Sequence, residues 1–175
     1  MQKIATFLLC STIFLTISCS KAISSQETSR SANFSFTYRH TPCGSIPVDV
    51  FDSSKNTLTH TPLDETESMT ISLQLTDDEL GAIYEKAIEI DFFNLPAKLT
   101  PPDDMIQMTS APAGTYELSM TNGEIVNSVF WKSDITTDPL FNEAAQFLEL
   151  MFFIQEIISS HHEYQQLPEP IAGCA

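Results

Sequence analysis

The stretch MTISLQLTDDELGAIYEKAI, residues 69–88, changes its hydrophobic spacing halfway along. Its first half alternates apolar and polar side chains, which is the period of a half-buried β-strand. In its second half apolar side chains recur every three or four residues, as on an amphipathic helix. Between them Thr76 stands three residues before Glu79, the spacing of a capping box. The stretch therefore predicts a strand followed at once by a helix of about fourteen residues.

The residues on either side add elements of both kinds. Alternating apolar residues predict three earlier strands, around Asn33–Arg39, Ile46–Val50 and Thr57–Thr61. A hairpin is predicted over residues 116–131, with Asn122-Gly123 as the φ > 0 pair of a type I′ turn. Asp138-Pro139 combines a capping residue with a proline at the first helical position, which predicts a second helix of about 22 residues.

The order of these elements is βββ(β)α-ββα and predicts an α+β fold. Sequential antiparallel strands with two amphipathic helices on one face form a two-layer sandwich. We expect a single domain over residues 33–175. Within it, residues 98–112 form a connection longer than the usual loop, which we expect to be either mobile or functional.

The N-terminal residues have the pattern of an export signal. Lys3 precedes Ile4–Ile17, a mostly apolar run without a charge. A membrane-spanning helix needs about 20 apolar residues, whereas the core of a signal peptide needs roughly 7 to 15. We therefore expect residues 1–18 to be a cleaved signal peptide.

Cleavage could fall before Cys19, or after a small residue further on, which would release a secreted protein. Thr16-Ile17-Ser18-Cys19 resembles the lipobox of bacterial lipoproteins, although Thr16 stands where leucine is usual. This resemblance implies that Cys19 carries a diacylglyceryl group with fatty acids such as palmitate. Residues 19–32 are rich in serine, like a flexible tether. The expected location is the outer face of a bacterial cell membrane or an outer membrane.

Four further segments resemble a group of uncharacterised bacterial lipoproteins. They are Ser72–Tyr84, Ile88–Pro96, Val129–Trp131 and Glu163–Pro170, the last with the pattern E-Y-x-x-L-P-x-P. The chain departs from that group after the motif, because residues 171–175 read IAGCA instead of a Gly-Gly-Tyr-type tail. The resemblance implies a lipoprotein with a single α+β domain, and it brings no known activity.

The charge balance excludes one class of partner. The chain has 8 Lys and Arg against 23 Asp and Glu, a net charge of −15. Nucleic-acid binding needs a clustered basic surface, and here the cations are scattered singly, so we expect no nucleic-acid partner. Repulsion from anionic headgroups would also leave the lipid group as the main attachment to the membrane.

Cys43 and Cys174 are the two cysteines left after the signal peptide and Cys19 are set aside. They could form a disulfide, remain separate thiols, or take a redox or metal role. A disulfide would close a long loop and requires the two Cα atoms to lie within about 7 Å. Neither a C-x-x-C spacing nor a nearby pair of histidines supports the third alternative.

Residues able to carry chemistry show no known catalytic pattern. His161 and His162 point about 100° apart on a helix, so they cannot share one metal ion, and we expect them to act as favourable charge at a helix C-terminus. His40 and His60 are predicted to be surface residues. The acidic clusters, which include Asp49 and Asp52, are predicted to be solvated loops and helix caps. We therefore assign no catalytic residue, no metal and no cofactor.

Two classes of function follow from the sequence. The first is a non-catalytic envelope module that binds a protein, a peptide or another ligand through its sheet face or residues 98–112. Its candidate contact residues are Phe130, Trp131, Leu167, Pro168 and Pro170, with core packing as the alternative for the two aromatic residues. The second class is an envelope hydrolase or metal-dependent enzyme whose site has no recognisable motif.

Overall fold

A computed structural model describes residues 29–42, 49–62, 67–103, 107–109, 114–132, 135–137 and 141–168. The predictions for the signal peptide, Cys19, Cys43, Cys174 and Pro170 lie outside these residues. So does the first half of the strand predicted at Ile46–Val50.

Six strands form the main sheet. They are Ser35–Thr41 (β1), Asp49–Asp52 (β2), Thr57–His60 (β3), Met69–Ser72 (β4), Thr115–Asn122 (β6) and Ile125–Lys132 (β7). The sheet is antiparallel in the order β4-β3-β2-β1-β6-β7. Gln107–Thr109 (β5) and Ile135–Thr137 (β8) pair separately, so the connection predicted over residues 98–112 contains a short strand. The predicted α+β fold is confirmed.

The first helix, Asp77–Glu89 (α1), begins as predicted. The Glu79 amide donates to Thr76 Oγ1 at 3.2 Å, and the Thr76 amide donates to the Glu79 carboxylate at 2.7 Å. These two bonds complete the capping box. After the helix, Asp91 takes a positive φ of 55° and turns the chain into a 3₁₀ helix at Phe92–Asn94.

The second helix, Asn142–Ser160 (α2), starts later than predicted. Phe141 has the extended backbone angles φ −67° and ψ 150°, so the prediction that the helix runs through Phe141 is wrong, while Asp138 and Pro139 lie outside the described residues. His161 is also extended and separates α2 from a short helix, His162–Gln165 (α3). No helix in the described residues is both long enough and apolar enough to cross a membrane.

One face of the main sheet is covered and the other is open. Tyr38, Leu118, Val129 and other alternate residues point inward and are buried with the helices. Edge-to-face ring contacts join the two layers at Phe34–Tyr84 (5.2 Å) and Trp131–Phe141 (5.4 Å). Because each fully buried large apolar side chain contributes roughly 1.5–3 kcal/mol, this layer stabilises the fold. The intervening residues lie on the open face.

The hairpin between β6 and β7 is confirmed, but its turn differs from the prediction. Asn122 pairs with Ile125, so Gly123 and Glu124 form the loop. Within this turn only Gly123 has a positive φ, 65°, whereas a type I′ turn needs two such residues. Asn122 stays in the strand and is buried, because its side chain accepts a bond from the Ser31 amide at 2.6 Å.

The capping box yields a stability prediction. We expect Thr76→Ala to lower the free energy of unfolding by about 1 kcal/mol, since an amide at the start of α1 loses its acceptor. Urea denaturation measures this change. Thr100→Ala, at an exposed position outside any helix, is the matched control and should stay within about 0.5 kcal/mol of the parent. Equal losses in the two variants would contradict the role of the cap.

Candidate functional site

A groove lies on the open face of the main sheet. It encloses about 450 Å³, a volume within the range of roughly 300–1,000 Å³ that is usual for ligand sites. The side chains that line it come from β1, β6 and β7 and are Thr37, Arg39, Glu117, Ser119, Ser128 and Phe130. All six lie on the face that the helices leave uncovered.

The residues that follow the 3₁₀ helix form one wall of this groove. The Leu99 amide donates to the Phe130 carbonyl at 3.0 Å, and the Phe130 amide donates to the Ala97 carbonyl at 2.9 Å. Lys98 thereby bridges β7 in parallel. The outer edge of β7 is covered at Phe130, and Ala97 closes the groove on that side.

The floor of the groove is polar apart from one aromatic ring. Arg39 Nε and Glu117 Oε2 lie 3.6 Å apart, and both side chains are about half exposed. The Ser119 and Ser128 hydroxyls are 2.8 Å apart. Phe130 is half-buried beside them. The groove therefore offers both signs of charge, hydrogen-bonding hydroxyls and one apolar surface.

The structure separates the predicted contact residues. Phe130 lines the groove, whereas its neighbour Trp131 points to the other face, where it is buried against Phe141. Trp131 is therefore a core residue, which was the alternative to a contact role for the two aromatic residues. Leu167 is half-buried against the core and Pro168 is exposed, both beyond α3. Phe130 is thus not brought together with the C-terminal residues.

A buried polar cluster, formed by Asp49, His60 and Tyr164, occupies the covered face. Asp49 Oδ1 lies 2.7 Å from His60 Nδ1, and the Tyr164 hydroxyl donates to Asp49 Oδ2 at 3.0 Å. His60 Nε2 lies 3.2 Å from the carbonyl oxygen of Pro168. Both ring nitrogens of His60 therefore face oxygen atoms, one of a carboxylate and one of a backbone carbonyl. The cluster joins β2 and β3 to the C-terminal segment.

Two tyrosines keep their protons beside this carboxylate. Burial raises the pKa of Tyr164, and the charge of Asp49 together with the hydrogen bond to it raises that pKa further. Burial also raises the pKa of Tyr38 well above its ordinary value, and the negative charge of Asp49 raises it further by a smaller amount. The Tyr38 hydroxyl is buried and has no hydrogen-bond partner among the described residues.

The predictions of a surface His60 and a solvated Asp49 are wrong. Their exposed fractions are 1% and 3%. The alternation of Ile46, Val48 and Val50 predicted that Val50 faces the core. In the structure Asp49 and Phe51 face the core instead. A shift of one residue exchanges the two faces of a strand. In β3, Leu58 and His60 alternate with Thr57 and Thr59, so the sequence contained the signal that His60 shares the inward face of Leu58.

The adjacent histidines His161 and His162 lie in different surroundings. His161 Nε2 lies 3.0 Å from Glu79 Oε1, whereas His162 is exposed. Burial alone would raise the pKa of Glu79, but the bonds from Thr76 and the proximity of His161 outweigh it and lower that pKa. Within the described ranges, no three His, Cys, Asp or Glu side chains converge to hold a metal ion.

No protein-family model matches the chain, and no curated protein is significantly similar to it. The resemblance to bacterial lipoproteins therefore stays a prediction.

The Tyr164 hydroxyl provides a first test of the buried polar cluster. We expect Tyr164→Phe to lower the free energy of unfolding by about 1.5 kcal/mol, because the buried carboxylate loses one donor. Tyr116→Phe, which removes a half-buried hydroxyl that takes no part in the bonds of the cluster, should change stability by less than about 0.5 kcal/mol. Limited proteolysis would show whether residues 161–168 open first in the Tyr164 variant. Equal stability of both variants would contradict the assigned bond.

A double-mutant cycle tests the pair at the centre of the cluster. His60→Leu leaves the buried Asp49 side chain without one of its hydrogen-bond partners, and we expect a loss of about 3 kcal/mol. Asp49→Leu should also destabilise, and the double variant should lose less than the sum of the single losses. Urea denaturation of the four proteins gives the coupling. Additive losses would show that the two side chains do not interact.

His40 makes stability depend on pH. It stacks on Tyr116 with ring centroids 4.6 Å apart, and burial lowers its pKa from 6.5, partly opposed by the charge of Asp49. The unfolded chain therefore binds a proton more readily than the folded protein. This contribution to stability is fully present above pH 6.5 and is lost as pH falls through the lowered pKa.

We expect His40→Phe, which keeps a ring on Tyr116, to lose less stability between about pH 7.5 and pH 5 than the parent. Urea denaturation at both pH values measures the difference. His162→Phe, at an exposed position, controls for the removal of one histidine. An identical pH dependence in the parent and the His40 variant would contradict this assignment.

Proposed function

We propose that the protein is a non-catalytic binding module of a bacterial cell envelope, held by lipid at Cys19, whose ligand occupies the groove on the open sheet face. The observation that carries this proposal is the groove itself. An uncovered sheet face commonly presents a plain row of solvated side chains, whereas here residues 97–99 pair with the edge of β7 and Ala97 closes one side of the groove.

The chemistry of the groove fits a peptide segment of an envelope protein. Ligand sites typically combine an apolar surface with a few placed polar groups. Phe130 supplies an apolar anchor for a side chain, while Arg39 and Glu117 offer a donor and an acceptor for polar groups next to it. An extended peptide presents such apolar and polar groups in alternation.

The anchor supports a location at the membrane surface. The apolar run of the signal peptide, the lipobox-like residues before Cys19 and the serine-rich segment after it all favour lipid attachment. A diacylglyceryl group buries two chains at about 0.8 kcal/mol per methylene, which is enough for stable attachment. The groove would then meet partners within reach of that membrane.

Site-specific photo-crosslinking in intact cells tests the proposal. A photo-crosslinking amino acid in place of Ser128 reports from inside the groove. The same amino acid in place of Thr70, also exposed on the open face but on β4, reports from outside it. We expect a discrete adduct from the Ser128 position and none from the Thr70 position, because the ligand contacts only the groove.

Phe130→Ser then tests the anchor. Loss of a central aromatic contact typically costs 2 kcal/mol or more, so we expect the Ser128 adduct to fall by roughly tenfold or more. Phe152→Ser, the same substitution at an exposed position on α2 outside the groove, is the matched control and should leave the adduct unchanged. Equal adducts from Ser128 and Thr70, or an adduct that survives Phe130→Ser in a folded protein, would contradict binding in the groove.

A further inference from the structure

Exposed aliphatic side chains gather at one end of the domain. Four large apolar residues are exposed in the described part of the chain, namely Ile88, Ile125, Val126 and Phe152. Ile125 and Val126 follow the β6–β7 turn and are 46% and 62% exposed. Phe152 lies elsewhere, against Tyr116, which is six residues along β6 from Asn122.

Ile88 lies on the same side of this hairpin as Ile125. One turn before it on α1, the Tyr84 hydroxyl accepts a bond from Asn122 at 3.3 Å. Beyond α1, the Asn127 amide donates to the Phe92 carbonyl at 2.7 Å. The helix α1 therefore passes Asn122, and the 3₁₀ helix after it reaches Asn127. Ile88 lies between these two contacts along the chain, as Ile125 lies between Asn122 and Asn127 along the hairpin. We call Ile88, Ile125 and Val126 the apolar tip.

The described chain begins beside the apolar tip. The Ser31 amide donates to Asn122 Oδ1 at 2.6 Å, and the Ser31 side chain lies within 3.7 Å of the place that a Cβ on Gly123 would take. Arg30 pairs with Asp77 at 3.4 Å, which holds the same segment against the start of α1. Residues 29–31, at the end of the segment predicted to be a tether, are thus fixed at this end of the domain.

Cys19 is ten residues before Ser29. A chain spans at most about 3.6 Å per residue, so the two residues are separated by no more than roughly 36 Å. A lipid at Cys19 therefore holds residues 29–31 within roughly 36 Å of the acylated residue, on a tether that joins the domain beside the apolar tip. The opposite end, with the buried polar cluster, is about 20 Å further along β6.

We infer that the apolar tip contacts the lipid bilayer and sets the orientation of the domain on it. This inference rests on the proposed acylation of Cys19. Aliphatic side chains at the boundary of headgroups and acyl chains gain by leaving water. The exposed carboxylate of Glu124 at the turn favours zwitterionic over anionic headgroups. The groove then faces sideways, open to partners along the membrane.

Fluorescence quenching by brominated lipid tests this contact. The acylated protein is reconstituted in vesicles of phosphatidylcholine that carries bromine on its acyl chains. Trp131 is buried and supplies a constant background. We expect the added fluorescence of Val126→Trp to be quenched, because residue 126 lies at the bilayer. Glu163→Trp, at an exposed position in α3 near the opposite end, should remain unquenched.

Hydrogen exchange tests the tip without an added tryptophan. On phosphatidylcholine vesicles, the amides of residues 122–126 should exchange more slowly than in the Cys19→Ser protein. Ile125→Ser/Val126→Ser should abolish that slowing, while Phe152→Ser, the matched loss of an exposed apolar side chain elsewhere, should preserve it. Urea denaturation confirms that each variant is folded.

The outcomes separate the tip from the anchor. A protein that floats with the vesicles but shows neither quenching at residue 126 nor slowed exchange at residues 122–126 keeps its lipid anchor and overturns contact by the tip. Equal quenching at residues 126 and 163 overturns the orientation. Slowed exchange at residues 122–126 that disappears when the protein is diluted in the vesicles would show contact between two copies, and it also overturns the inference. A protein that does not float lacks the anchor, and the inference fails with it.

Discussion

Because neighbouring side chains of a strand point to opposite faces, each strand of the main sheet supplies one residue set to a covered layer and one to an open face. The covered set is largely apolar and packs against α1 and α2. The open set is rich in Ser and Thr and contains Phe130 as its large aromatic residue in the groove. The buried layer holds the domain together, while the open face is left free for other contacts.

Polar residues that fall on the covered face need partners, since a buried polar group without one costs roughly 1–3 kcal/mol. In this molecule those partners come from distant parts of the chain. Asn122 binds Ser31 and Tyr84, and so fixes the first described residues to the β6–β7 turn and to α1. Asn127 binds the carbonyls of Phe92 and Leu95.

The Asp49–His60 pair acts in the same way at the other end of the sheet. Asp49 accepts a hydrogen bond from the Tyr164 hydroxyl, and His60 lies against the Pro168 carbonyl. These two contacts fix the C-terminal segment. These are residues of the E-Y-x-x-L-P pattern, so within this structure the described part of that pattern secures the tail to the sheet. Removing one partner of such a buried pair is costly, because the other partner stays buried without it.

Local patterns were enough to predict most of the fold. The capping box at Thr76 and the alternation in β1, β4 and the β6–β7 hairpin depend on neighbours within a few residues. The predicted α2 included Phe141, which is extended and packs against Trp131, because the capping rule applied to Asp138-Pro139 uses only local sequence. In β2 the apolar Val50 and Phe51 are adjacent, so alternation alone allows either face, and the choice depends on pairing with β1 and β3.

The candidate sites were harder to predict. Phe130 could be selected as an aromatic residue on a strand, but only the pairing of residues 97–99 with β7 reveals the groove. The contact of His60 with Asp49 requires the β2–β3 register, and its contact with Pro168 joins residues 108 positions apart. Spacing along a sequence carries no information about such distant contacts unless a known motif encodes them.

Lipid at Cys19 is the premise that the two proposed surfaces share, because it brings the groove within reach of envelope partners and the apolar tip to the bilayer. Intact-mass spectrometry of the protein extracted from the membranes of its native cells tests it most directly. We expect a chain that begins at Cys19 and carries the added mass of a diacylglyceryl group. A chain that begins further on, carries no acyl mass and is recovered from the soluble fraction would contradict the anchor and the membrane location together.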